Sequence, residues 1–130
     1  MPKILSISPD LAIASGRAKL LSGLGVQATS VKSMRAALTA LRAGVDSGNP
    51  YDLLVVDLEE DEDRRTGLDL CVEIAGFEKP PLRLLLFWPE EAERSARALT
   101  EGKVNATLCR RDGWRQFRPT VAQLLGLTPG

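Results

Sequence analysis

Asp57 is the residue of this chain best placed to do chemistry. It closes the segment Tyr51-Asp-Leu-Leu-Val-Val-Asp57, in which four apolar residues, Leu53 to Val56, run directly into a carboxylate. Such a run reads as a strand buried on both faces, as in a parallel sheet covered by helices on either side. A carboxylate at the end of that strand is desolvated on one side and lies at the carboxyl edge of the sheet, where open α/β folds bind ligands. An aspartate there also serves as the cap of the following loop. The other candidates for a site at this edge are Ser8, Asp10, Glu59, Phe87, Trp88, Cys109 and Arg110, each at or just past the end of a strand-like run. Asp57 and Asp10, with a backbone carbonyl near Glu59, offer hard oxygen ligands to a weakly held divalent cation. Arg110 or Arg111 offers the opposite solution, a guanidinium fork paired with Asp57. Phe87 and Trp88 read as a plug at the pocket rim.

Absent residues narrow the chemistry further. The 130 residues include no histidine, which removes His-based acid–base catalysis, Ser-His and Cys-His nucleophile pairs, and most zinc sites. An independent enzyme is therefore not expected. Cys71 and Cys109 fit no CxxC or disulfide framework and read as buried free thiols of a reducing, cytoplasmic compartment. Seventeen basic residues balance seventeen acidic ones, so no global charge draws the chain to nucleic acid or to an anionic membrane. The start Met1-Pro2-Lys3 leads into too short an apolar run for a signal peptide, and no stretch approaches the roughly 18 apolar residues of a membrane span.

Two charged clusters remain. Glu59-Glu60-Asp61-Glu62-Asp63 is a block of like charge that reads as a solvated loop and disfavours a dianionic phosphoryl group beside Asp57. Arg110, Arg111, Arg115 and Arg118 surround Trp114 and Phe117 in a pattern that can read nucleic acid. Helical spacing instead makes the aromatics a buried face and the arginines a solvated one.

The elements that position these residues alternate along the whole chain, which reads as one domain, 1–130. Lys3 to Ser8 is a strand. Leu11, Ala14, Ala18 and Leu21 form the inward face of a first helix capped by Asp10. Val26 to Val31 is a half-polar edge strand, and a helix capped by Ser33 buries Met34, Ala37, Leu38 and Leu41 before turn chemistry from Gly44 to Pro50. Asp52–Asp57 is the third strand. Thr66 and Asp69 have capping-box spacing ahead of a helix buried through Leu68, Cys71, Val72 and Ala75. Leu82 to Trp88 is a fourth strand, and Pro89 opens a helix facing inward through Ala92, Ala96 and Leu99. Val104 to Cys109 is the fifth strand. Trp114, Phe117, Val121 and Leu124 mark a last helix that Pro119 should kink or delay. The expected fold is a doubly wound, five-stranded parallel sheet with Ile4–Ile7, Leu53–Val56 and Leu84–Leu86 central.

From Lys3 to Leu125 this arrangement resembles a response-regulator receiver domain of the CheY type. Tyr51–Asp57 is similar to the phosphoacceptor strand of that family. Thr66-Gly67-Leu68-Asp69-Leu70 is similar to its glycine-opened third helix, and Glu101-Gly102-Lys103-Val104-Asn105-Ala106 to its turn into the fifth strand. The resemblance implies the (βα)5 flavodoxin/CheY-like fold in three α/β/α layers, Asp57 as phosphoacceptor and Mg²⁺ as the accompanying ion. It also implies a histidine kinase or another signalling protein as partner, and it leaves a homodimer open.

The signature around Asp57 departs from the family's. Ser8 and Pro9, followed by Asp10, stand where the family has its acidic metal-binding pair. Phe87 or Trp88 replaces the hydroxyl after the fourth strand, Cys109 the lysine of the fifth, and Ala106 its aromatic switch residue. The loop from Asp57 to Gly67 is about two residues longer than the family's and lacks its proline. The favoured expectation is a degenerate receiver that binds no cofactor, or Mg²⁺ only weakly, and signals by docking without phosphorylation. The alternatives are a phosphoacceptor receiver with weak metal assistance, and a small-molecule or nucleotide site at the carboxyl edge. The turn Ser8-Pro9-Asp10-Leu11 counts against the last, because it has no glycine to let a phosphate approach the backbone.

Overall fold

The computed structural model describes residues 1–8, 10–59, 64–111 and 113–127, the side chains of residues 113 and 114 excepted. Strands and helices alternate: β1 (Lys3–Ile7), α1 (Leu11–Leu21), β2 (Gln27–Val31), α2 (Met34–Asp46), β3 (Leu53–Asp57), α3 (Gly67–Ile74), β4 (Leu82–Phe87), α4 (Ala92–Thr100), β5 (Ala106–Cys109) and α5 (Gly113–Leu124). The strands form one parallel sheet in the order β2-β1-β3-β4-β5. The three most apolar strands are central, as their composition requires, and the polar Gln27-Ala-Thr-Ser-Val31 strand is an exposed edge.

Side-chain alternation divides each central strand between two cores. Leu5, Ile7, Leu54, Val56 and Leu85 pack with Met34, Ala37 and Leu41 of α2, Leu70, Cys71 and Ile74 of α3, and Ala98 of α4. Ile4, Leu53, Val55, Leu84 and Leu86 pack on the other side with Leu21 of α1 and Phe117, Val121 and Ala122 of α5. Each Val, Leu, Ile, Met or Phe among them, fully buried, contributes roughly 1.5–3 kcal/mol.

The helix caps form as their sequences dictate. Asp10 accepts from the Ala12 N–H, Ser33 from the Ala36 N–H, and Thr66 and Asp69 close a reciprocal capping box. Several inward faces are rotated from the expected ones. In α1 the buried residues are Arg17 and Leu21, while Leu11 is 80% exposed and Ala18 is exposed. In α3 they are Gly67, Leu70, Cys71 and Ile74, with Val72 and Ala75 outward, and in α4 they are Ser95 and Ala98, with Ala92, Ala96 and Leu99 outward. These helices are alanine-rich or short, so apolar positions lie on more than one face and periodicity does not select among them.

Three helix boundaries also differ. Helix α2 continues through Gly44, which is buried against Asn49, Pro50 and Tyr51. Pro89–Glu91 is a 3₁₀ turn leading into α4. Helix α5 starts at Gly113 and runs through Pro119, so the delayed start is not found. Pro119 is exposed, and the carbonyl left without its helical donor, that of Arg115, is on the same side of the helix turn, where water can serve it.

Candidate functional site

The parallel register places Asp57 opposite Leu86 at the carboxyl end of the sheet. Backbone geometry there is fixed by Gly67, the first residue of α3: a Cβ at this position would overlap the Asp57 carbonyl and the Val56 side chain. Only glycine lets α3 start this close to the end of β3.

The carboxylate of Asp57 is met by an arginine from α1. Arg17 Nη2 donates to Asp57 Oδ2 at 3.0 Å and to Oδ1 at 3.3 Å. Its Nη1 donates to Ser8 Oγ at 3.0 Å, to the Ile7 carbonyl at 3.1 Å and to Ser6 Oγ at 3.2 Å. The Arg17 side chain is 2% exposed and that of Asp57 13%. A buried guanidinium is tolerated only when paired and hydrogen-bonded, and the ends of β1 and β3 supply both. Arg118 of α5 steadies the helix that carries Arg17, its Nη1 donating to the Leu20 and Ser22 carbonyls at the end of α1.

A second arginine closes the other side. Arg110, just past β5, has Nη1 3.5 Å from Asp57 Oδ1 and 2.8 Å from Glu59 Oε1. Its guanidinium lies 4.4 Å from the Trp88 ring centroid, within cation–π range. Trp88 Nε1 donates to the same Glu59 oxygen at 3.1 Å. Asp57 is thus held between two cations, with Glu59 and Trp88 bracing the outer one.

The remaining sequence candidates fall as follows. Ser8 is buried and accepts from Arg17. The Asp10 carboxylate is spent on capping α1 and is exposed. Phe87 is half-buried against the α2/α3/α4 core and Trp88 is 37% exposed. Cys109 is half-buried at the end of β5, opposite Phe87. Arg111 and Arg115 are exposed, and Phe117 is core at 1% exposure. Glu60 to Asp63 and the side chain of Trp114 lie outside the described residues.

Sequence reasoning missed Arg17. Its signal was its position, three residues after Ala14 and four before Leu21, at the centre of the helix's inward face, where a charge demands a buried partner.

The same geometry tests whether a divalent cation suits these residues. The oxygens it would need, those of Asp57, Ser8 and Ile7, already accept from Arg17. Among the described residues the carboxylate that Arg17 meets is that of Asp57, and no three His, Cys, Asp or Glu side chains are grouped as ligands. A fixed guanidinium occupies the place of the ion, so these residues do not fit Mg²⁺.

Comparison with solved structures places this architecture among receiver domains. The chain superposes on a response regulator receiver domain protein from Clostridium thermocellum with a TM-score of 0.80 and 18% identity, over 97% of this chain and 95% of that one. A response regulator receiver protein from Burkholderia phymatum gives 0.78 and 20% over 98% of each chain. The chemotaxis response regulator CheY4 of Vibrio cholerae gives 0.76 and 16%, over 95% of this chain and 98% of that one. No protein-family model matches the sequence, and no curated protein matches it. The fold is the CheY-like (βα)5 fold of response-regulator receivers. No helix among the described residues is long and apolar enough to cross a membrane.

Proposed function

We propose that this chain is a receiver-like signalling domain of the two-component type that works by docking to a protein partner, without phosphorylation of Asp57. The observation that carries this reading is the buried pairing of Arg17 with both carboxylate oxygens of Asp57. A phosphoacceptor needs one free carboxylate oxygen for in-line attack and cations placed to absorb charge on the moving phosphoryl group. Here both oxygens face guanidinium groups. The neighbouring side chains, Trp88, Phe87 and Cys109, offer no hydroxyl or lysine for the phosphoryl oxygens. The role is non-enzymatic and cytoplasmic, the partner is a histidine kinase or another signalling protein, and neither nucleic acid nor membrane is engaged by this domain.

The test is incubation with acetyl phosphate in millimolar Mg²⁺ followed by intact-mass spectrometry, with Asp57→Asn as control. The expected spectrum is unmodified. A stoichiometric, Mg²⁺-dependent gain of one phosphoryl group that vanishes in the variant overturns the reading in favour of a phosphoacceptor receiver.

A further inference from the structure

The edge strand β2 carries no charge. Gln27-Ala-Thr-Ser-Val31 pairs with β1 along one side only, and Gln27, Ala28, Thr29 and Ser30 are exposed. On the paired side the Gln27 N–H donates to the Pro2 carbonyl, and the Val31 carbonyl accepts from the Ser8 N–H. Positions alternate along a parallel ladder, so Thr29 also bonds toward β1, while Ala28 and Ser30 turn both N–H and C=O away from the sheet. Such an edge is a template for another chain, and proteins ordinarily block it with charged side chains, proline or a bulge. None of these interrupts residues 27–31, whose register with β1 is regular.

The helix beside this edge is equally bare. Ala14 and Ala18 of α1 line one recess with Ala28 and Ser30 of β2. Leu11, 80% exposed, lies on their stripe, three positions before the first and seven before the second. A surface helix ordinarily turns charged residues to solvent. The only charges of α1 are Arg17, which is buried, and Lys19.

We propose that β2 is the contact of a symmetric homodimer, in which two copies pair antiparallel about Thr29 and join their sheets into one. In that register Ala28 faces the partner's Ser30, and Ser30 the partner's Ala28, each pair exchanging two backbone hydrogen bonds. Thr29 meets its own copy on the two-fold axis, a favourable cross-strand pair. Gln27 falls opposite the partner's Val31, and Lys32, the charge next to the strand, opposite the partner's Val26, so no like charges are opposed along the paired strands. A second copy suits this edge better than a foreign strand. Five paired residues alone fall short of the roughly 1,000 Å² of a specific interface, and a lone strand leaves the α1 flank uncovered. The two-fold axis keeps both α1 helices on one face of the joined sheet, side by side, and so covers Leu11 and Ala18 as well. The pairing draws on nothing at Asp57 and is independent of the proposed function.

The full chain is followed by sedimentation equilibrium from about 10 µM to about 1 mM, with amide hydrogen exchange measured at both ends of that range. The expected result is a reversible monomer–dimer equilibrium, with the Ala28 and Ser30 amides better protected at the high concentration. Thr29→Lys opposes two ammonium groups across the axis, and Ser30→Pro removes an outward donor without touching the β1 ladder. Each should weaken dimerisation by at least ~10-fold, with an unchanged thermal midpoint showing an intact fold. Leu99→Glu, at an exposed position of α4 beside the far edge of the sheet, should leave the equilibrium unchanged. Where a β2 variant melts early, the exchange of the wild type decides. A monomer at every concentration overturns the proposal and leaves the edge to a foreign strand at most. So does a dimer indifferent to both β2 variants, a dimer broken by Leu99→Glu, or one that forms without added protection of Ala28 and Ser30.

Discussion

Arg17 and Asp57, forty positions apart in sequence, face each other at 3.0 Å across the carboxyl end of the sheet, one 2% exposed and the other 13%. Burial of this kind makes the pair an all-or-none feature. The desolvation of two charges offsets much of their attraction, so the intact pair adds little net stability, but removing one partner leaves a buried charge uncompensated.

Asp57→Leu or Arg17→Met alone should therefore lower the unfolding free energy by about 3–5 kcal/mol, whereas the two together should recover most of that loss. Chemical denaturation of the wild type, both single variants and the double variant closes the cycle. A single-variant loss below about 1 kcal/mol would place the pair among weak surface bridges.

Gly67 limits what the end of β3 can accommodate. A Cβ there meets the Asp57 carbonyl and Val56, while at Gly76 an added Cβ meets only the Glu73 carbonyl at 3.6 Å. Gly67→Ala should cost about 1–3 kcal/mol by forcing α3 away from the strand. Gly76→Ala, as the control, should stay within about 0.5 kcal/mol. Equal midpoints for the two variants would show that α3 moves aside freely.

The parallel sheet was legible because Leu53–Val56 and Leu84–Leu86 are uninterrupted apolar runs that only a doubly covered strand can bury. The helix faces were less so. Ala14, Ala18, Ala92 and Ala96 are compatible with either side, and what turns α4 inward is the packing of Ala98 and Ser95 rather than the hydrophobicity of Leu99. At the site, the sequence displayed what stands in place of the receiver signature, and it singled out Arg110. It displayed Arg17 only as a charge at inward spacing on α1; that the partner is Asp57, forty residues away, depends on the depth of α1 over β1, which local spacing does not encode.

Alkaline pH should expose the burial of Cys71. This thiol is fully buried, and desolvation pushes its pKa from 9.0 up to about 12, with the charge of Arg83 pulling the other way. The folded state keeps its proton while the unfolded chain releases it. The stabilisation is then complete below pH 9 and is lost as pH rises from there toward 12. Relative to Cys71→Ala, the wild type should lose stability more steeply over that window. Denaturation midpoints at pH 8 to 10.5 measure the difference, and parallel curves for the two proteins would refute it.

The last prediction asks whether Arg17 is what keeps a metal out. In the wild type its guanidinium already takes the oxygens of Asp57, Ser8 and Ile7, so about 10 mM Mg²⁺ should leave the thermal midpoint unchanged. Combining Arg17→Ala with Ser8→Asp empties the space held by the guanidinium and sets a second carboxylate beside the first. Two carboxylates around one small volume repel each other until a cation joins them. That variant should be less stable than the wild type without metal and should regain about 1.4 kcal/mol when Mg²⁺ is present at about ten times its dissociation constant. Thermal melts of both proteins across a Mg²⁺ series, with Na⁺ at matched ionic strength, separate specific binding from screening. A wild-type midpoint that climbs with Mg²⁺ would show that the internal cation does not exclude the metal. A variant that ignores Mg²⁺ would show that the loss of the acidic pair was not what Arg17 replaced.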